Sequence, residues 1–320
     1  MTAQRDVFLS TLFDLATVDP DIMLLSADMG APSLDRWRKE LPDQFIATGI
    51  AEQNTINVAA GLSAGGKKVY VYFMASWAAR CFEQVRYSCA LAKNPITIIG
   101  NGVGLGYSPA GPAHEPNDDI AYMRSILGIE VISPSNNKAV KELVKLTYNI
   151  PKLRYVRLER KHSETVEAIY NDKAAAHITV NGFHNLRATQ WSHPTQINDV
   201  CIVSSGYMLG RCVDVSNKLA ANGYKVSVYD VQTVKPINPR LAREIGKSFN
   251  IVTVEEQTLS GGLGSAICEL LADEQWRANV LRIGLPERYL LQNASRDYLL
   301  DNNGLSVDAI YDRIIARIAD

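Results

Sequence analysis

Short apolar runs recur along this chain, separated by longer stretches with helical periodicity, and that alternation limits the possible fold more than any other feature. The runs at 21–26 (DIMLLS), 68–73 (KVYVYF), 95–100 (PITIIG), 130–133 (EVIS) and 153–158 (LRYVRL) are of strand length. Helical patterns lie between them, as at 79–92 and 137–148. Strands that alternate with helices predict an α/β fold, a parallel sheet with helices on both faces. Between 160 and 198 the rhythm stops. That stretch is polar, carries His162, His177, His184 and His193, and shows one weak strand pattern at 177–180. A second alternating set begins at 199–204 (DVCIVS) and continues through a helical pattern at 211–222 and strands at 225–231 and 250–255. The expected architecture is two α/β domains: a parallel-sheet domain over 1–160, an extended connection over 161–198, and a smaller mixed-sheet domain over 199–320.

A length of 320 residues fits two domains. With 47% hydrophobic and 21% charged residues the balance is that of a globular protein. The formal net charge of -1 gives no support for a nucleic-acid or membrane-surface role. The first residues lack the apolar core of a signal peptide, and no run approaches the roughly 18 apolar residues of a membrane span. The five cysteines are odd in number, widely spaced and form no CxxC pair. They read as buried free thiols in a reducing cytoplasm, with no metal site among them.

Open α/β sheets bind ligands beyond the carboxyl ends of their strands, and three features fall there. Ser26-Ala27-Asp28-Met29-Gly30 follows the first strand. Glu52 stands in TGIAEQN, where the step 45–47 turns into a run of small and apolar residues that places Ile56, Ala59, Ala60 and Ser63 near one face. That run reads as a buried helix. Locally, a carboxylate at its start is explained by the helix dipole alone. The third feature is the loop NGVGLGYSPAGPAHEP at 101–116, with glycines for tight turns and His114 near its end. A histidine there can exchange protons near neutral pH, or simply be a solvated loop residue.

Taken together, SADMGAPS, TGIAEQNTINVAAGL, the glycine loop ending GPAHEP, and SPSN resemble the thiamine-diphosphate pyrimidine-binding domain of transketolases. The segments 201–238 and 250–271 are similar to the C-terminal domain of the same family. The resemblance implies transfer of a two-carbon ketol unit from a ketose to an aldose, with thiamine diphosphate and a divalent metal (Mg2+, or Ca2+ or Mn2+). It implies that Glu52 activates the cofactor through a pyrimidine nitrogen and that Asp28 and Met29 lie against the cofactor. Such a carboxyl must hold or share a proton, which an apolar pocket favours and a helix N-terminus opposes. His114 matches the family histidine near the substrate's reacting oxygens. Arg160 matches a phosphate-binding arginine, and Ser33 and Arg5 fall on other phosphate-contacting positions. A guanidinium fork suits phosphate, although Arg160 also reads as an ordinary surface arginine.

The departures bear on specificity. The family stacks two phenylalanines, three apart, on the pyrimidine; here Phe73 is followed by Ser76 at the second position, and Trp77 stands as the substitute or as core packing. The loop is two residues longer than in ordinary transketolases and has Ala110 where a substrate-binding aspartate is expected; Gly100 stands where a second phosphate-contacting histidine often sits. The GDG motif that marks the diphosphate- and metal-binding domain occurs nowhere in the sequence. A phosphate reading of Gly261-Gly262-Leu263-Gly264 is weaker than close helix packing. The resemblance therefore implies the second half of a split transketolase. A separate polypeptide would bind the diphosphate and most of the metal, as α2β2, with Glu52 at the interface between the two. Two rivals stand beside it: a β subunit of the first component of a 2-oxo acid dehydrogenase, and a catalytically silent paralogue that binds a partner. Deoxyxylulose-phosphate synthase shares the architecture in one long chain.

Overall fold

The computed structural model describes residues 3–27, 29–160, 166, 183–185 and 198–319. The first sheet has seven strands. They are β1 (Ile22–Ser26), β2 (Phe45–Ala47), β3 (Lys68–Met74), β4 (Ile96–Asn101), β5 (Glu130–Ile132), β6 (Arg154–Leu158) and, from far along the chain, β10 (Thr233–Lys235). Their spatial order is β10-β5-β6-β4-β3-β1-β2, and all pairings are parallel except β10 with β5. The sequence predicts five of these strands and marks β2 only as an apolar step; β10 is too short and too polar to register as one.

Period-two alternation explains why the central strands are apolar throughout. In β3, Val69, Val71 and Phe73 enter the core on one face of the sheet, and Tyr70 and Tyr72 enter the core on the other. Strand β1 divides the same way, with Met23 and Leu25 opposite Ile22 and Leu24. The helices Gln4–Ala16, Pro32–Glu40 and Asn137–Asn149 cover one face through Phe8, Leu12, Trp37, Val140 and Leu143. The helix Glu52–Ala64 covers the other with Ile56, Ala59, Ala60 and Ser63 buried, the face expected from the sequence. The expected helix at 79–92 is irregular instead: 3-10 turns over Ala75–Cys81, one α turn, then a π-helical segment over Val85–Leu91.

The second sheet is β12-β11-β8-β9-β7, from β8 (Val200–Ser204), β9 (Val226–Val231), β11 (Asn250–Thr258) and β12 (Asn279–Leu285), all parallel, with β7 (Phe183–Asn185) antiparallel at the edge. Part of the expected connection thus pairs with the second sheet, while the strand pattern at 177–180 lies outside the described residues. The two sheets share a continuous core: Val71 and Phe73 belong to the same cluster as Cys201, Val203, Ile251 and Leu263. β10 ties them further, since the Lys235 ammonium donates to the carbonyls of Arg124 at 2.6 Å and Ile126 at 2.5 Å. All five cysteines are free thiols, four of them buried. Among the described residues no helix is long and apolar enough to cross a membrane.

Candidate active site

Glu52 is the first residue of its helix, five positions after β2 ends, and the link between them turns at Gly49, whose φ is +70°. Its side chain is 5% exposed, and Oε2 accepts from Arg80 Nη1 at 3.3 Å. The Arg80 guanidinium lies 4.5 Å over the Trp77 ring, and Trp77 meets His114 edge to face with centroids 5.5 Å apart. One path of contacts therefore joins Glu52, Arg80, Trp77 and His114 across the ends of β2, β3 and β4. Arg80 and Trp77 share a helical face because they are three residues apart. The sequence suggests an apolar pocket around Glu52; the pocket contains an arginine as well. Sequence reading missed Arg80; its spacing from Trp77 was the available signal.

The other predicted cofactor residues separate. Phe73 is fully enclosed in the core beneath the helix Glu52–Ala64, whereas Trp77 is half-buried and reaches His114. Ser76 Oγ is buried without a hydrogen-bond partner among the described residues, as is Ser26 Oγ at the end of β1. Met29, three residues beyond Ser26, is half-buried. Asp28 lies outside the described residues.

Glycines shape the loop that carries His114. Gly102, with φ of +75°, leaves room for Tyr107, whose ring a Cβ there would overlap. The Tyr107 hydroxyl accepts from Asn101 Nδ2 at 2.8 Å, and the exposed Arg160 guanidinium lies 4.7 Å over the Tyr107 ring. Gly100 is set by packing, since a Cβ would fall 2.5 Å from the Tyr155 hydroxyl. That hydroxyl donates to Asp119 at 2.9 Å, and Asp119 also takes a two-point ion pair from fully buried Arg157 at 2.8 and 3.0 Å. A histidine at position 100 would displace this network, so the departure there has a structural cause.

Arg5 and Ser33 come together, but on a carboxylate. Arg5 donates to both oxygens of Asp6 at 3.0 and 3.2 Å, and Ser33 Oγ donates to Asp6 Oδ1 at 3.0 Å. Next to His114, Glu115 is buried and its two oxygens have no hydrogen-bond partner among the described residues. Burial, with the Glu256 carboxylate adding to it, pushes the Glu115 carboxyl up to about 7. Glu115 lines a cavity of about 420 Å³ with Asn117, Thr258 and Arg288. Glu256 is held by Arg296, which also pairs with Glu159 at 2.8 Å.

The segment Gly261-Gly262-Leu263-Gly264 is already filled. The backbone N–H groups of Leu263 and Gly264 donate to the Glu255 carboxylate at 2.6 and 2.8 Å. A helix N-terminus that would attract phosphate is satisfied here by the chain's own side chain. Among the described residues no group of three or more His, Cys, Asp or Glu side chains is placed to hold a metal ion. Among the described residues the geometry therefore offers a carboxyl and an aromatic side chain for a flat heterocycle, and no comparable cradle for a diphosphate.

The chain is thus a two-domain α/β protein with an acidic residue opening the helix after β2 and a histidine on the loop after β4. The chain matches the family model "transketolase, pyrimidine binding domain" over residues 1–164 and "transketolase, C-terminal domain" over 190–310, and it belongs to the transketolase family. It is 30% identical to one of the subunits of the apulose-4-phosphate transketolase of Phocaeicola vulgatus, over 97% of each chain. It is 28% identical to the 1-deoxy-D-xylulose-5-phosphate synthase of Caldanaerobacter subterraneus subsp. tengcongensis, covering 98% of this chain but 48% of that one. A split-gene transketolase solved as an inactive β4 tetramer superposes with a TM-score of 0.84 at 28% identity, over 100% of this chain and 99% of that one.

Proposed function

We propose that this chain is the β-type subunit of a split transketolase, moving a two-carbon ketol unit from a ketose donor to an aldose acceptor. The observation that carries the reading is the contact path Glu52–Arg80–Trp77–His114. It brings together a carboxyl, an aromatic face and a proton-exchanging imidazole from three segments distant in sequence. The aminopyrimidine of thiamine diphosphate needs the first two, so Glu52 and Trp77 would hold it, with Met29 and Ser76 toward the same end. When bound, that cofactor supplies the carbon nucleophile for cleavage next to the donor's carbonyl.

The chain's own residues would do the rest. Glu52 holds and returns a proton at a pyrimidine nitrogen, and Arg80 fixes the carboxyl's orientation. His114, whose Nδ1 is buried without a hydrogen-bond partner among the described residues, moves a proton at the sugar's reacting oxygens. Such groups each contribute on the order of 10²–10⁴-fold in rate. Arg160, at the mouth, takes an anionic group of the sugar.

We assign the diphosphate and most of the metal (Mg2+, Ca2+ or Mn2+) to a partner subunit in an α2β2 assembly in the cytoplasm. Two relatives matched over nearly their whole length support a divided enzyme by their names: the Phocaeicola vulgatus protein is a transketolase subunit, and that of Methanocaldococcus jannaschii is a putative transketolase C-terminal section. The surface beside Glu52 suits an interface, since Ile50 is 76% exposed and Gln53, Asn54 and Asn57 are exposed along the same helix. We divide the chain into the pyrimidine-binding domain 1–160, the connection 161–198 and the C-terminal domain 199–320.

Calorimetric titration of thiamine diphosphate with magnesium into this chain, alone and mixed with a GDG-bearing partner, tests the split site. Binding in the mixture alone is expected; tight binding to the isolated chain would reassign the cofactor halves. Glu52→Gln should lower turnover of the complex by about 10²-fold or more while assembly persists, and wild-type turnover by that variant would remove the proton role. The likeness to 1-deoxy-D-xylulose-5-phosphate synthases favours one second reading, in which the complex makes a deoxyxylulose phosphate rather than exchanging ketol units. Formation of that product without ketose cleavage would select it.

A further inference from the structure

We propose that Glu256, on the second sheet, is a positioning residue for His114, holding from the far side the loop 101–116 that carries the imidazole. This rests on the transketolase reading above and adds a residue to its machinery. The loop leaves the first sheet at Asn101, the last residue of β4, and is gripped at both ends by the second. Near its start, the Leu105 N–H donates to Glu256 Oε1 at 3.0 Å. The Leu105 side chain is fully buried in the same apolar cluster as Val252, Val254 and Leu290. Midway, Ser108 Oγ donates to the Ala294 carbonyl at 2.9 Å. At the far end, the Pro116 carbonyl accepts from Gln257 Nε2 at 2.9 Å, and the Asn117 carbonyl accepts from the Thr258 N–H at 2.9 Å. Glu256, Gln257 and Thr258 are consecutive on β11, so one strand end holds the loop before and after His114.

Glu256 can fix the loop because it is itself fixed. Its side chain is 7% exposed, and Oε1 accepts from Arg296 Nε at 2.8 Å as well as from Leu105. Arg296, 10% exposed, extends Nη2 to Glu159 Oε2 at 2.8 Å. Losing either carboxylate from this buried trio leaves a charge without its partner, so the arrangement resists opening. Two-point pairing with a guanidinium also sets the direction of the Glu256 carboxylate. The loop is built to meet it: Gly104 has φ of +58°, and a Cβ there would lie 2.7 Å from that carboxyl. From Leu105 to His114 the chain has little freedom to bend. Three-residue turns run from Ser108 back to Leu105, from Ala110 to Tyr107, from Gly111 to Ser108 and from His114 to Gly111, with hydrogen bonds of 3.1, 2.8, 3.0 and 2.9 Å. Pro109 and Pro112 fix two of the φ angles between. A displacement at Leu105 is therefore carried to the imidazole, where it meets the Trp77 ring. Glu256 acts through the loop and not on the sugar.

The test compares wild type with Glu256→Ala, Glu256→Gln and Gly104→Ala, and with Ile314→Ala as a control that loosens the same apolar cluster away from the loop. In the full chain, NMR reads the His114 ring resonances, identified by their loss in His114→Gln. In the complex with the diphosphate-binding partner, steady-state kinetics read kcat and KM for ketose donors and aldose acceptors. Glu256→Ala should shift the His114 resonances and lower kcat by about 10²-fold, the size expected when a reacting group is misplaced by about an ångström. Calorimetry should find thiamine diphosphate bound to that complex as to wild type. Gly104→Ala pushes on the same carboxylate from the loop side and carries the same prediction if Glu256→Ala does not fold. Glutamine keeps an oxygen for Leu105 and Arg296, so Glu256→Gln should retain most of kcat. Ile314→Ala should move neither readout. Unmoved resonances and wild-type kcat in Glu256→Ala and Gly104→Ala would overturn the proposal, as would moved resonances without loss of kcat, or equal losses in Ile314→Ala. Absence of turnover by the wild-type complex with every sugar would instead sink the ketol-transfer reading, and the His114 resonances would then decide by themselves whether Glu256 positions the loop.

Discussion

Glu115→Gln should stabilise the chain at alkaline pH and leave it unchanged near pH 4. The glutamate is buried, its oxygens lack hydrogen-bond partners among the described residues, and its carboxyl is raised from 4.5 to about 7 by burial and by Glu256. The folded state therefore keeps this proton to a higher pH than the unfolded state. Below 4.5 both states are protonated and the group contributes no pH dependence. Between 4.5 and about 7 the unfolded chain ionises first, so stability falls as pH rises; above that range the full cost is present. At about 1.4 kcal/mol per pH unit the ceiling is roughly 3 kcal/mol. Solvent in the adjoining cavity screens the charge, which brings the expected cost to about 1–2 kcal/mol. Glutamine has nearly the same shape and no charge to bury. Its melting temperature at pH 8 should exceed that of wild type by roughly 1.5–3 °C, from the per-residue unfolding entropy scaled to this chain length, and should match wild type at pH 4. Differential scanning calorimetry across this range reads the effect. Equal melting temperatures at pH 8, or a variant less stable there, would show that the Glu115 carboxylate has a compensating partner and that the reasoning is wrong.

Two further perturbations probe the scaffold. Gly262→Ala places a methyl group inside the Glu255 carboxyl that caps the helix Leu263–Asp273, and should cost about 1–3 kcal/mol in a urea titration; a smaller effect would mean that the cap can move. Asp119→Ala strips the partner from fully buried Arg157 and should destabilise by about 3–5 kcal/mol in the same assay, whereas the double change with Arg157→Met should recover much of that loss.

The strand pattern alone led to the parallel sheet, because a strand covered on both faces must be apolar at every position, as β1 and β3 nearly are. The buried face of the helix Glu52–Ala64 was legible for a similar reason: its small residues recur at helical spacing. Glu52 and His114 could be singled out from their motifs. Trp77 entered as a substitute, and its contact with His114 was not foreseeable from the chain. The strand β10 was invisible, since three residues with a lysine at one end gain strand character only by pairing with β5.

What the sequence by itself determined, then, is the alternation of elements, the family to which they belong, and the residue types available for chemistry. These are local properties, fixed by side-chain periodicity and turn chemistry. The tertiary structure decided which of those residues share a site and what already occupies them. Arg80 reaches Glu52, Glu255 fills the glycine-rich helix start, Tyr155 forbids a side chain at Gly100, and Asp6 pairs with Arg5. All but the last of these contacts join separate segments. The free energy of such contacts depends on distance and burial that one-dimensional spacing does not contain.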